Sequence, residues 1–97
     1  MLYKIVLITD LDGNPKTDES AQGRIGRVID LDKDEIEYDR VLFMKCAYPG
    51  FHKSLLTSFV KNVTEANDGL IITTENSIYF LVDIDIAEQY ENERMEH

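Results

Sequence analysis

Cys46 and His52 stand six residues apart, and a cysteine beside a histidine can make a thiolate nucleophile. That chemistry needs a group to orient the histidine and an electropositive setting for the thiol. No orienting group is identifiable, and no helix N-terminus is expected behind Cys46, which sits in the apolar run Val41 to Tyr48. A thiol there reads as a small hydrophobe. Two histidines and one cysteine are too few to close a zinc shell without carboxylates, so neither a metal nor any other cofactor is assigned. Asp30, Asp32 and Asp34 have the spacing that opens a calcium-binding loop. Such a loop also needs Gly at its sixth position and Glu at its twelfth, where this chain has Glu35 and Val41. A solvated turn is the expectation.

The run Ile5-Val6-Leu7-Ile8-Thr9-Asp10-Leu11-Asp12-Gly13 resembles the first motif of haloacid-dehalogenase-type phosphatases. The resemblance implies Asp10 as nucleophile and Asp12 as general acid and base, with Mg²⁺ offsetting phosphate charge. Leu70 to Thr74 is similar to that family's second motif, and Asp83 with Asp85 to its acidic metal ligands. The mechanism also requires a lysine between those two motifs, and no lysine follows Lys61. A 97-residue chain cannot supply the family's parallel sheet and covering helices either. The expectation is a strand ending in an Asp-Gly turn, with a Mg-dependent phosphoryl-transfer enzyme as the alternative.

Contact residues are the stronger candidates. Tyr48-Pro49-Gly50-Phe51-His52 places aromatic side chains on a loop, where they offer large, rigid area to a protein partner; Tyr48, Phe51 and His52 are the binding candidates. The competing role for Tyr48 and Phe51 is to plug one end of the fold. Charge supplies a second group. After Lys61 the only basic residue is Arg94, against nine carboxylates, so residues 62–97 carry a net −8. Glu88, Glu91 and Glu93 are therefore candidates to steer a partner with a basic surface. Arg24, Arg27, Arg40, Lys45 and Lys53 suggest a basic strip but are interleaved with Asp30, Asp32 and Asp39, so a mixed solvated surface is expected. The net charge of −9 disfavours nucleic acid and anionic membranes as partners.

Something must position these residues. Leu2 to Thr9 reads as a strand, followed by a long loop in which Lys16 to Gln22 has no large apolar residue. Arg24 to Asp32 alternates as a strand with a bend at Gly23 or Gly26, and Asp32 to Glu35 turns into a strand over Val41 to Tyr48. Phe51 to Thr64 fits a helical stripe or a turn followed by a strand, and the strand is favoured. Asn67-Asp68-Gly69 signals a hairpin through residues that accept positive φ. Glu75-Asn76 turns the chain into Ser77 to Ile84, where Ile78, Phe80 and Val82 are expected to join Ile72 in the core. Asp85 and Glu88 have capping-box spacing for a short terminal helix.

These elements predict a mainly β protein, a five- or six-stranded SH3-like barrel over residues 1–85 with an acidic C-terminal helix or tail over 86–97. The alternative is an α+β fold with residues 51–64 helical. Thr57-Ser58-Phe59-Val60 and Thr74-Glu75-Asn76-Ser77-Ile78-Tyr79, within residues 57–82, resemble small uncharacterised β-rich proteins of Gram-positive bacteria and their mobile elements. That resemblance implies strands and no particular activity. The single cysteine and the lack of a leader-like or membrane-spanning apolar run fit a reducing, cytoplasmic setting. The functional expectation is a non-enzymatic protein-binding module, an acidic regulator or inhibitor from a mobile element. A structural subunit forming a homodimer through a sheet edge is a further alternative.

Overall fold

In the computed structural model, six antiparallel strands close into a barrel in sequence order, β1 pairing with both β2 and β6. The structure describes residues 1–48 and 54–95, without the side chains of Tyr48 and of residues 90–95. The elements are β1 (Leu2–Thr9), α1 (Glu19–Arg24), β2 (Val28–Asp30), a single 3₁₀ turn (Lys33–Glu35), β3 (Val41–Tyr48), β4 (Leu55–Ala66), β5 (Gly69–Thr74), β6 (Ile78–Asp83) and α2 (Ile84–Met95). The small mainly β barrel with a terminal helix is thus the fold. The α+β alternative is corrected, because Leu55 to Ala66 is strand throughout.

Every strand sends apolar side chains inward: Tyr3, Ile5 and Ile8 from β1, Ile29 from β2, Leu42 and Met44 from β3, Leu55 and Val60 from β4, Leu70 and Ile72 from β5, Tyr79 and Leu81 from β6. Strict alternation would put Ile5 and Leu7 on the same face, but a register shift between them resets the parity, so that Ile5 and Ile8 are both buried. Similar shifts occur at Val28/Ile29, Val41/Phe43 and Val60/Asn62. Each lets a long strand bend around a narrow core.

Four expectations are overturned. The polar stretch from Lys16 is not all loop: Asp18 caps α1 by accepting from the Ala21 N–H at 3.2 Å, and Ala21 is buried as the helix folds over the barrel. The strand expected over Arg24 to Asp32 shrinks to Val28–Asp30, because Arg24 ends α1 and Gly26 turns the chain at φ +93°. Ile78, Phe80 and Val82 do not share Ile72's core face. Ile72 pairs with Tyr79 and Leu70 with Leu81, so these four point inward, and Ile78, Phe80 and Val82 lie half-buried on the other face. Finally, Asp83 rather than Asp85 caps α2, accepting from the Asp85 N–H at 2.9 Å.

The hairpin at Asn67-Asp68 forms as expected, yet neither residue nor Gly69 has positive φ. Gly69 serves a different need: a Cβ there would lie 1.9 Å from the Leu81 carbonyl oxygen. The turn at Glu75-Asn76 is held by the buried Thr74 hydroxyl, which accepts from the Ser77 N–H at 3.2 Å and donates to the Ser77 carbonyl at 3.1 Å.

Candidate functional site

The Asp10 carboxylate is engaged in its own turn. Its Oδ1 accepts from the Asp12 N–H at 2.9 Å and the Asn14 N–H at 3.0 Å, while Gly13, at φ +90°, donates its N–H to the Asp10 carbonyl at 3.1 Å. These donors, Asn14 first, hold the carboxyl below its usual pKa of 3.8. Asp12 is exposed, and the Asp10 carboxylate meets it through its backbone N–H. Asp83 and Asp85, the other acidic residues of that motif reading, lie at the start of α2, one as its cap. Among the described residues no group of three or more His, Cys, Asp or Glu side chains could hold a metal ion.

The remaining candidates are scattered. Cys46 is buried on β3, and His52 lies outside the described residues, as does Phe51. Tyr48 ends β3 opposite Val28, and its side chain is likewise outside them. Glu88 is exposed on α2, which packs against β1 and β6; the side chains of Glu91 and Glu93 are not among those described. In a ring of six strands the β6–β1 seam stands opposite β3–β4, so Glu88 on α2 and the backbone of Tyr48 at the end of β3 lie on different sides. Of the basic residues, the Arg24 guanidinium donates to the Tyr79 hydroxyl at 2.7 Å and Arg40 pairs with Glu37 at 2.9 Å, while Lys53 lies outside the described residues. One end of the barrel carries a hollow of about 480 Å³ edged by Asp32, Glu65, Asp68 and Asp83, with Lys33 paired to Glu65.

The feature that stands out is an outer face. Of nine large apolar side chains exposed among the described residues, four belong to β3 and β4 and form two cross-strand pairs, Val41 with Phe59 and Phe43 with Leu56. Their exposures run from 47% for Phe59 to 61% for Phe43. Opposed side chains on a sheet face lie within contact reach of each other, so the four make one surface. Tyr38, 55% exposed, adjoins it, lining with Asp39, Arg40, Val41 and Phe59 a shallow hollow of about 590 Å³.

Local chemistry sets this face. Asp39, at φ 60°, turns the chain into β3, a conformation that Asp tolerates better than most residues. Its N–H donates to the Val60 carbonyl at 2.8 Å, and the Val60 N–H donates to the Arg40 carbonyl at 2.8 Å, which continues the β3–β4 ladder. Where the ladder shifts register, the Leu42 N–H is taken by the buried Thr57 hydroxyl at 3.1 Å. The Tyr38 hydroxyl accepts from the Val63 N–H at 3.3 Å, which holds the ring against β4. On the rim Glu37 pairs with Arg40 at 2.9 Å and Asp39 with Lys61 at 2.8 Å; Asp30, across the sheet from Lys45, pairs with the N-terminal ammonium of Met1 at 3.1 Å, and Asp32 and Glu35 line the hollow beside Phe43. The hydrogen bond to Asp39 raises the Lys61 pKa above its ordinary value.

None of the five apolar residues of this face was a sequence candidate. The signal was present in the unbroken apolar run Val41-Leu42-Phe43-Met44 and in Leu55-Leu56 with Phe59-Val60. A barrel has only one apolar interior, so a strand apolar on both faces must show one to the outside. Compared with known proteins, the chain matches no family model, no curated protein and no solved structure.

Proposed function

We propose that this chain is a non-enzymatic protein-binding module, a small acidic regulator or inhibitor that works in the cytoplasm by contact and not by chemistry, through the outer face of β3 and β4. The observation that carries the reading is the clustering of Val41, Phe43, Leu56 and Phe59 as two exposed cross-strand pairs. With Tyr38 they expose roughly 450 Å² of apolar surface, taking about half of what each side chain can bury. Patches of that size on small proteins are commonly functional, and aromatic side chains carry much of the binding energy where they occur at interfaces. The phosphoryl-transfer alternative is weakened by Asp10, whose Oδ1 is committed to two backbone donors. Edge-to-edge dimerisation is weakened by closure of the ring, in which each strand already pairs with two neighbours.

The test compares tagged wild type with a Phe43→Ser/Phe59→Ser double variant as bait, with circular dichroism confirming that both are folded. Bound proteins, untagged copies of the chain included, are measured by quantitative mass spectrometry. The reading expects a protein held by the wild type and lost from the double variant. Identical captures by the two baits would refute it.

A further inference from the structure

We infer that the occupant of the β3–β4 face is a second copy of this chain, docked about a two-fold axis with Phe43 of each copy seated in the partner's hollow between Tyr38, Val41 and Phe59. The inference rests on the reading of this face as the contact surface and adds what covers it.

Three observations favour self-docking. A two-fold contact presents the same patch from both sides, so one face must carry a projection and a recess together. Here Phe43 is the most exposed of the four paired side chains, and the hollow beside Val41 opens two residues along the same strand. Charge permits it. Of the chain's net −9, residues 62–97 carry −8. The acidic helix α2 packs on β1 and β6, across the ring, so two copies joined at β3–β4 keep their helices at the far ends of the pair. That separation is well beyond the screening length of about 8 Å at physiological salt. Area agrees as well. A standard interface buries about 800 Å² per partner and is about 56–65% apolar, which asks for roughly 450–520 Å² of apolar surface. The five exposed side chains supply roughly the lower figure. The dimer leaves Glu88, exposed on α2, outside the contact on both copies.

Sedimentation equilibrium of the full chain tests this. The wild type is expected near 22 kDa, twice the chain's 11.2 kDa, with Phe43→Lys and Phe59→Glu each reduced to 11.2 kDa. Each single variant should weaken self-association by about a hundredfold or more, because the lost contact is central and occurs twice per dimer. An equimolar mixture of the two variants should recover the larger mass, since the ammonium introduced by Phe43→Lys on one copy then meets the carboxylate introduced by Phe59→Glu on the other. If Phe43→Lys does not fold by circular dichroism, Leu56→Lys takes its place. A wild type that stays at 11.2 kDa up to about 500 μM overturns self-docking, since a Kd weaker than that is worth less than about 5 kcal/mol. If the serine double variant nevertheless loses a captured protein, the face is still the contact surface and its occupant is a different protein. A Phe43→Lys variant as dimeric as the wild type also overturns the inference, by placing the contact elsewhere.

Discussion

Gly69→Ala is the sharpest test of the hairpin that closes the barrel beside the acidic end. An alanine Cβ at this position would lie 1.9 Å from the Leu81 carbonyl oxygen, 2.8 Å from its carbon and 2.9 Å from the Val82 Cα. Ordinary contact begins at 3.4 Å, so the strands must separate by at least 3.4 − 1.9 = 1.5 Å at this point. All three obstacles are backbone, and no side chain can swing aside to make room. A displacement of that size breaks the local ladder where Gly69 faces Val82 and Leu70 faces Leu81, together with the 2.7 Å bond from the Asp83 N–H to the Asp68 carbonyl. Losing two or three hydrogen bonds at about 1 kcal/mol each costs about 2–3 kcal/mol. Restricting the unfolded chain returns about 0.4–1 kcal/mol, leaving a net loss of about 1–2.5 kcal/mol. Urea denaturation followed by far-UV circular dichroism measures it as a lowered midpoint at an unchanged slope. A matched Gly23→Ala variant is the control: that glycine is helical, a Cβ there meets nothing within 4 Å, and the change should stabilise by about 0.5–1 kcal/mol. If Gly69→Ala stays within about 0.5 kcal/mol of wild type, the close approach of β5 and β6 is not real and the register argument fails with it.

Leu81→Ala, which empties a site only 2% exposed, should cost about 2–5 kcal/mol, and Ile78→Ala on the half-buried face should cost at least about 1 kcal/mol less. The reverse order in denaturant titrations would put β6 back in the opposite register. Thr57→Val keeps the side chain's shape but leaves the Leu42 N–H buried without its acceptor, which should cost about 1–3 kcal/mol and can be read from the thermal midpoint. Asp10 is predicted to titrate below 3.8 in an NMR titration of the side-chain carboxyl. Because its folded value is depressed, its contribution to stability is present above the unfolded value and lost as pH falls through the folded one, and Asp10→Asn should remove that acid dependence. A midpoint at or above 3.8 would mean the turn does not hold the carboxylate.

The strand inventory was legible because turn chemistry marks it. Asp10 to Pro15, Asn67-Asp68 and Glu75-Asn76 each end a strand, and β3 spans the very residues that β-branched and apolar content marked. What was illegible depended on contacts distant in sequence. Nothing local to Glu19–Arg24 marks it as packed, since its one buried side chain is Ala21; the barrel surface beneath supplies the reason for the helix. The inward face of β6 could not be read from its own alternation, because Ile78, Phe80 and Val82 are as apolar as Tyr79 and Leu81. Pairing with Ile72 and Leu70 settles it. Where both faces of a strand are apolar, period-two reasoning finds the strand and not its orientation.

The same ambiguity hides the exposed β3–β4 face in the sequence. On β6 the outer apolar residues Ile78, Phe80 and Val82 are half-buried, and α2 packs against this strand and β1. On β3 and β4 the corresponding residues, Val41, Phe43, Leu56 and Phe59, are about half exposed, and neither helix is among the main contacts of those strands. The two sides of one barrel thus carry similar outer hydrophobicity but different cover. Leaving such a face in water forgoes about 25 cal/mol for each Å² that a partner could shield, or roughly 11 kcal/mol over the roughly 450 Å² estimated from side-chain size before the entropic cost of association. Covering it with a second copy needs no further element from the chain. It also keeps the acidic helices apart, which joins the two asymmetries of the sequence, apolar strands and an acidic end, in one arrangement.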